Sequence, residues 1–182
     1  IKTPLSTLQF LVGFLSLLYF IDTVFNFAIT LRSLRKREEI QVTQEETKLL
    51  DEKTLPVYTI LCPLYKEAHV VPQFVKAISQ LEWPKEKLDV MLLLEEDDIE
   101  TVATIQGMDL PSYIRIVVVP DSQPKTKPKA CNYALGMARG QFTVIFDAED
   151  KPDKDQLKKV FLGFLQSPLD TMCIQAKLNF YN

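Results

Sequence analysis

Hydrophobic and polar positions change their period several times along this chain. From Leu5 to Leu31 the residues are almost all apolar and carry one charge, Asp22. At about 1.5 Å of rise per residue, such a helix crosses a hydrocarbon core of about 30 Å with some tilt. This predicts one transmembrane helix over residues 1–31. The short apolar core and small-residue cleavage site of a signal peptide are not there. Arg32, Arg35, Lys36 and Arg37 follow at once. Such a basic flank stays on the cytoplasmic side, so everything after it is expected to be cytosolic. Asp22 and Asn26 are costly in lipid and are expected to face other helices. Residues 32–55 read as a basic juxtamembrane segment and a polar, partly helical linker ending before Pro56. The first residue is Ile1, not Met, which suits a piece of a longer protein.

After Pro56 the pattern becomes regular. Short apolar runs rich in strand formers alternate with segments of helical spacing. Strands are predicted over residues 57–64 (VYTILCPL), 88–94 (LDVMLLL), 113–119 (YIRIVVV) and 142–146 (FTVIF), with a fifth over 171–180 (TMCIQAKLNF). Between them lie helices. One runs through 70–81 with Val71, Phe74, Val75, Ile78 and Leu81 on one face; a shorter one spans 98–106. A third, over 128–140, has Cys131, Ala134, Leu135 and Ala138 on one face and Gly140 as its stop. The last spans 156–166, with Leu157, Val160, Phe161, Phe164 and Leu165 inward and Asp153 with Gln156 as a capping box. Alternation of this kind predicts an α/β domain with a mostly parallel sheet covered on both faces.

Composition narrows the function. The 182 residues, 47% of them hydrophobic, suffice for one real core, and a net charge of −3 gives no reason to expect nucleic acid. Cys62, Cys131 and Cys173 are far apart and odd in number, which fits a reducing compartment. With His69 as the single histidine, a His-rich metal site and a Ser-His-Asp triad are both poor fits. No G-x-x-x-x-G-K and no G-x-G-x-x-G occurs among the five glycines. An EF-hand reading of residues 147–157 fails because Pro152 stands where that loop needs glycine.

In open α/β sheets, ligands bind outside the carboxyl ends of the strands. Here those ends are unusually charged. Tyr65, Lys66 and Glu67 follow the first strand, and Glu95, Glu96, Asp97 and Asp98 follow the second. Asp147, Glu149 and Asp150 follow the fourth, which Lys125, Lys127 and Lys129 precede. Taken singly, such runs are ordinary helix caps and solvated loops. Converging on one edge, the acids would repel unless a cation lay between them. A hard divalent ion, Mg²⁺ or Mn²⁺, held by Asp147 and Glu149 and completed by phosphate oxygens, satisfies that requirement. The lysines would neutralise the remaining phosphate charge.

In this order and spacing the segments resemble the family 2 glycosyltransferases. YTILCPLYKEA resembles that family's P-x-Y-N-E opening, with Lys66 where Asn is usual. LDVMLLLEEDD resembles the strand ending in paired acids that touch uridine. TKPKACNYALGMARGQFTVIFDAED resembles K-A-G-x-L-N-x-A-L-x-x-A-x-G-x-x-V-x-x-D-A-D, with Lys127, Asn132, Ala134, Leu135, Gly140 and Asp147 in register. The resemblance covers about residues 56–180. It implies a GT-A (Rossmann-like) fold, a nucleotide-sugar donor that is usually UDP-linked, a divalent metal, and a glycan or lipid-linked acceptor. Pro63, Tyr65 and Glu67 would line the nucleotide pocket, and Glu95 or Glu96 would meet the uridine. Lys127 would contact the donor phosphates. Asp147 and Glu149 would form the D-x-D pair, with Glu149 placed first as the direct metal ligand and Asp150 able to share the role. The membrane helix points to the processive, polysaccharide-synthase-like branch. The second motif lacks its usual glycine, and Glu149 replaces an aspartate. The family's general base and its Q-x-x-R-W motif do not occur here, so residues 56–182 read as the donor-binding part of an inverting enzyme, with the base expected beyond residue 182. Two other readings are weighed beside it. A nucleotidyltransferase would open with a Gly-rich loop that CPLYKEA lacks. A non-catalytic membrane module of the same fold would be indifferent to Asp147 and Glu149.

Overall fold

In the computed structural model of the protein, residues 4–35 and 39–177 are described. They belong to two compact units, Ile1–Ile40 and Gln41–Asn182. In the first unit, helix α1 runs from Pro4 to Arg35. Pro4–Leu34 is the one helix among the described residues that is long and apolar enough to cross a membrane. Its apolar residues lie all round the helix rather than along one face. Its polar residues turn back on their own backbone. The hydroxyls of Thr23 and Thr30 donate to the carbonyls of Tyr19 and Asn26, at 2.8 and 2.9 Å, and the Asn26 amide donates to the Asp22 carbonyl at 2.9 Å. Lys36 and Arg37 of the basic cluster lie outside the described residues.

The second unit is an α/β layer structure. A short helix α2 (Gln44–Lys48) opens it, closed by a capping box in which Thr43 and Glu46 satisfy each other's backbone N–H groups. Strands β1 (Tyr58–Leu64), β2 (Leu88–Glu95), β3 (Ile114–Val119) and β4 (Phe142–Ile145) form one sheet in the order β3-β2-β1-β4. All three pairings are parallel. Helices α3 (Val71–Ser79), α4 (Ile99–Gln106), α5 (Lys127–Leu135) and α6 (Gln156–Gln166) connect and flank them.

Because side chains alternate along a strand, β1 and β2 feed two cores. Tyr58, Ile60, Cys62, Leu64, Val90, Leu92 and Leu94 pack with Val71, Phe74, Ile78, Ile105 and Leu157 from α3, α4 and α6. Leu61, Met91, Leu93, Val117 and Val119 pack with Ala130, Cys131 and Ala134 of α5. Helices therefore cover both faces, and the near-unbroken apolar runs of β1 and β2 are those of doubly covered strands. Pro63 sits in a central strand without penalty. The ladder between β1 and β4 ends at Leu61 and Ile145, so the N–H that Pro63 lacks has no strand opposite it.

Four expectations need correction. Residues 171–177 are not a strand; they run without a ladder partner, Met172 is 90% exposed, and residues 178–180 of that predicted element lie outside the described residues. Helix α5 stops at Leu135 with Gly136 as its C-cap, so Leu135 is 53% exposed rather than inward. Gly140 is not a helix stop but a point of close approach, where a Cβ would lie 2.5 Å from the Thr59 backbone nitrogen. At α6 no side-chain capping box forms. The cap residue is Asp155, the Gln156 N–H donates to the Asp153 carbonyl at 3.0 Å, and Leu165 is exposed while its neighbour Phe164 packs on Phe142.

Candidate active site

The carboxyl ends of β1, β2 and β4 and the amino end of α5 meet at one edge of the sheet. Thr126 caps α5, accepting the Lys129 N–H at 3.4 Å, and this sets Lys127 on the first turn. The Lys127 ammonium donates to Asp147 Oδ1 at 2.7 Å, with both side chains about half exposed. That bond, and the further negative charge of Glu67 and Glu149, holds the ammonium above its ordinary pKa. One lysine thus reports acids from two strand ends, Glu67 after β1 and Asp147 with Glu149 after β4. The turn after β4 is closed by Asp150, whose Oδ2 accepts the Asp147 N–H at 2.8 Å and whose own N–H donates to the Asp147 carbonyl at 2.9 Å. Asp150 is committed to that turn, while Glu149 stays exposed. Beneath them, burial pushes the Cys62 thiol up, and the charges of Asp147, Glu67 and Asp150 push the same way. Cys62 is an inert core residue and not a nucleophile.

The acids after β2 are used differently from one another. Glu95 is buried, and Lys129 donates to it at 2.7 Å; the same ammonium also donates to the carbonyls of Pro120 and Ser122, at 3.0 and 3.1 Å. All three ammonium protons are spent inside the protein. Glu96 is exposed and accepts the Asp121 N–H at 3.1 Å. Asp97 pairs with Lys125, which also reaches Asp121 at 3.0 Å. Asp98 is buried, caps α4 through Thr101, and accepts the Lys66 N–H. The expected comb of phosphate-facing lysines is therefore divided. Lys125 and Lys129 brace the β2 and β3 ends, and Lys127 alone faces the β4 acids. Tyr65 is 42% exposed beside the site, with the Lys66 ammonium 5.1 Å from its ring centre, whereas Pro63 is buried. Lys129 and Asp98 were legible only as charges. The spacing Asp98-x-x-Thr101 before an apolar run was the available sign of the cap.

The residues suit a divalent ion of the kind expected. Among the described residues no group of three or more His, Cys, Asp or Glu side chains is arranged to hold a metal by protein ligands alone. Asp147 and Glu149 offer two carboxylates on one turn, the complement of an ion that takes one or two carboxylates and completes its shell with phosphate oxygens and water.

Residues 56–181 match the model of the family described as glycosyltransferase like family 2. The chain belongs to that family. As a family 2 chain, it is 25% identical over 183 residues to glucomannan 4-beta-mannosyltransferase 1 of Oryza sativa subsp. japonica, covering 93% of this chain and 34% of that one. It is 29% identical over 116 residues to the UDP-forming cellulose synthase catalytic subunit of Pseudomonas fluorescens, covering 62% and 15%. The chain thus spans about a third or less of the length of these curated relatives. Among solved structures, the mannosyltransferase PcManGT from Pyrobaculum calidifontis, in complex with GDP-Man and Mn²⁺, superposes with a TM-score of 0.53 at 22% identity, covering 85% of this chain and 43% of that one. That likeness establishes the GT-A-like fold.

Proposed function

We propose that residues 56–182 are the donor-binding part of a membrane-anchored, inverting glycosyltransferase that builds a polysaccharide or glycoconjugate from a nucleotide sugar. Residues 1–31 would span the membrane, and 32–55 would lead to the domain on its cytoplasmic side. The carrying observation is the meeting of Lys127, Asp147, Glu67 and Glu149 at the carboxyl edge of a parallel sheet, beside the amino end of α5. That helix end favours anions. In this reading Lys127 leaves Asp147 and takes the donor's diphosphate. Asp147 and Glu149 would hold Mg²⁺ or Mn²⁺, which would supply positive charge to the leaving diphosphate. Tyr65 and Glu67 line the nucleotide side, and Pro63 shapes the strand end beneath them. Glu96 is the acid exposed enough to meet the base, because Glu95 is buried against Lys129. Removal of the acceptor proton is assigned to a carboxylate beyond residue 182.

The resemblance points to a uridine nucleotide, while the mannosyltransferase neighbour holds a guanosine one. Calorimetry of the detergent-solubilised chain with UDP and with GDP, each with and without Mn²⁺, tests the site and ranks the bases. Metal-dependent binding that disappears in Asp147→Ala and Glu149→Ala supports the reading. Binding indifferent to metal and to both acids overturns it in favour of a non-catalytic module of the same fold.

A further inference from the structure

Lys66 is the only described non-glycine residue with a positive φ, at 57°. A lysine gains nothing from that left-handed conformation, which L-residues adopt at a cost. Something outside the residue must hold it there. The structure shows what does. Asp98, 6% exposed, accepts the Lys66 N–H on Oδ2 at 2.5 Å, while its Oδ1 accepts the Thr101 N–H at the start of α4 at 3.4 Å. Its own N–H donates to the Glu95 carbonyl at 3.0 Å, fixing Asp98 to the end of β2. Burial pushes the Asp98 carboxyl up, but the bonds from Thr101 and Lys66 outweigh it and leave the group below the ordinary carboxylate range. The acid is therefore charged when it accepts both bonds. The consequence falls on the residues either side of Lys66. The reversed backbone turns its side chain over the Tyr65 ring and starts the short helical turn from Glu67, whose carbonyl accepts the Val70 N–H at 3.1 Å.

We propose that Asp98 is a positioning residue of the donor site: by clamping the Lys66 N–H it holds the left-handed turn that presents Tyr65 and Glu67. This rests on the donor-site reading above and adds to it a residue that touches no substrate. It also accounts for a lysine at a position where the resembling family usually has asparagine, a residue that tolerates the left-handed region by itself.

The test uses the full chain in detergent with Mn²⁺ and both nucleotides, and compares the unsubstituted protein with Asp98→Ala, Lys66→Gly and the double variant. Amide hydrogen exchange at residue 66 is followed in parallel. The expected result is a loss of nucleotide affinity of about tenfold in Asp98→Ala, the size of one left-handed penalty. Exchange at residue 66 should quicken in that variant, and affinity should return in the double variant, because glycine needs no clamp. A purely structural Asp98 would leave the double variant as weak as Asp98→Ala, and that outcome overturns the proposal while the donor site stands. Unchanged affinity in Asp98→Ala overturns it equally. If the unsubstituted chain binds neither nucleotide, the donor-site reading falls and the positioning role falls with it.

Discussion

The two ends of the sheet carry the same chemistry and put it to different uses. At the amino end, Asp89 on β2 is buried. It accepts two bonds from the Arg115 guanidinium, at 2.7 and 3.1 Å, and one each from the Thr59 hydroxyl and the Arg139 N–H, both at 3.0 Å. Thr59 in turn accepts the Gly140 N–H at 2.9 Å, and Arg115 also donates to the Met137 carbonyl. Every group there is answered by another group of the same fold, and the network ties the segment between α5 and β4 to the sheet. At the carboxyl end, Lys127 and Asp147 form a single bond in the open, and Glu149 is exposed. A buried pair with all its bonds made fixes one arrangement. An exposed pair is worth little and can be exchanged for a ligand. The difference in burial separates Asp89, held as scaffold, from Lys127 and Asp147, the pair open to exchange, while Glu95 with Lys129 forms a buried brace within the same carboxyl edge.

That contrast can be broken by substitution. The largest expected effect is at the scaffold end. Asp89→Ala leaves a guanidinium and two further donors without their acceptor, and should cost about 3 kcal/mol in denaturant unfolding. Next comes Lys129→Ala, which leaves Glu95 buried and unpaired and should cost about 2 kcal/mol by the same measurement. Gly140→Ala drives a Cβ against Thr59 and should cost about 2 kcal/mol as overpacking, visible as a lowered Tm. At the opposite extreme, Asp147→Asn should shift stability by less than about 0.5 kcal/mol, yet remove metal-dependent nucleotide binding. A large stability loss in Asp147→Asn, or none in Asp89→Ala, would erase the distinction between the two ends.

Acid titration sharpens the comparison further. Burial raises the Asp89 pKa, but the bonds from Arg115, Arg139 and Thr59 and the charge of Arg115 outweigh it, and the folded value lies below the ordinary one. A group depressed on folding stabilises fully above its unfolded pKa, about 3.9. That contribution is lost as pH falls through the folded value. Unfolding followed from pH 6 downward should show a steeper acid limb in the unsubstituted chain than in Asp89→Asn.

Much of this protein is set by local pattern. The apolar period marks α1, the four strands and the faces of α3 and α6, because burial on one or both sides of an element leaves its period in the residues that build it. The charge at the strand ends was also legible, since a parallel sheet puts its carboxyl ends on one edge whatever the loops do. Tertiary structure alone decided the partners. Nothing in KTKPK tells which lysine is spent on Glu95, which on Asp97, and which is left to Asp147. Those choices depend on how α5 lies across β1, β2 and β3. Nor does the sequence show that residues 171–177 go without a ladder, because a strand is a property of two segments, or that Asp98 holds Lys66 from 32 residues away. A residue's period follows from its own neighbours in the chain; a charge's partner follows from which chain ends the fold brings within about 3 Å.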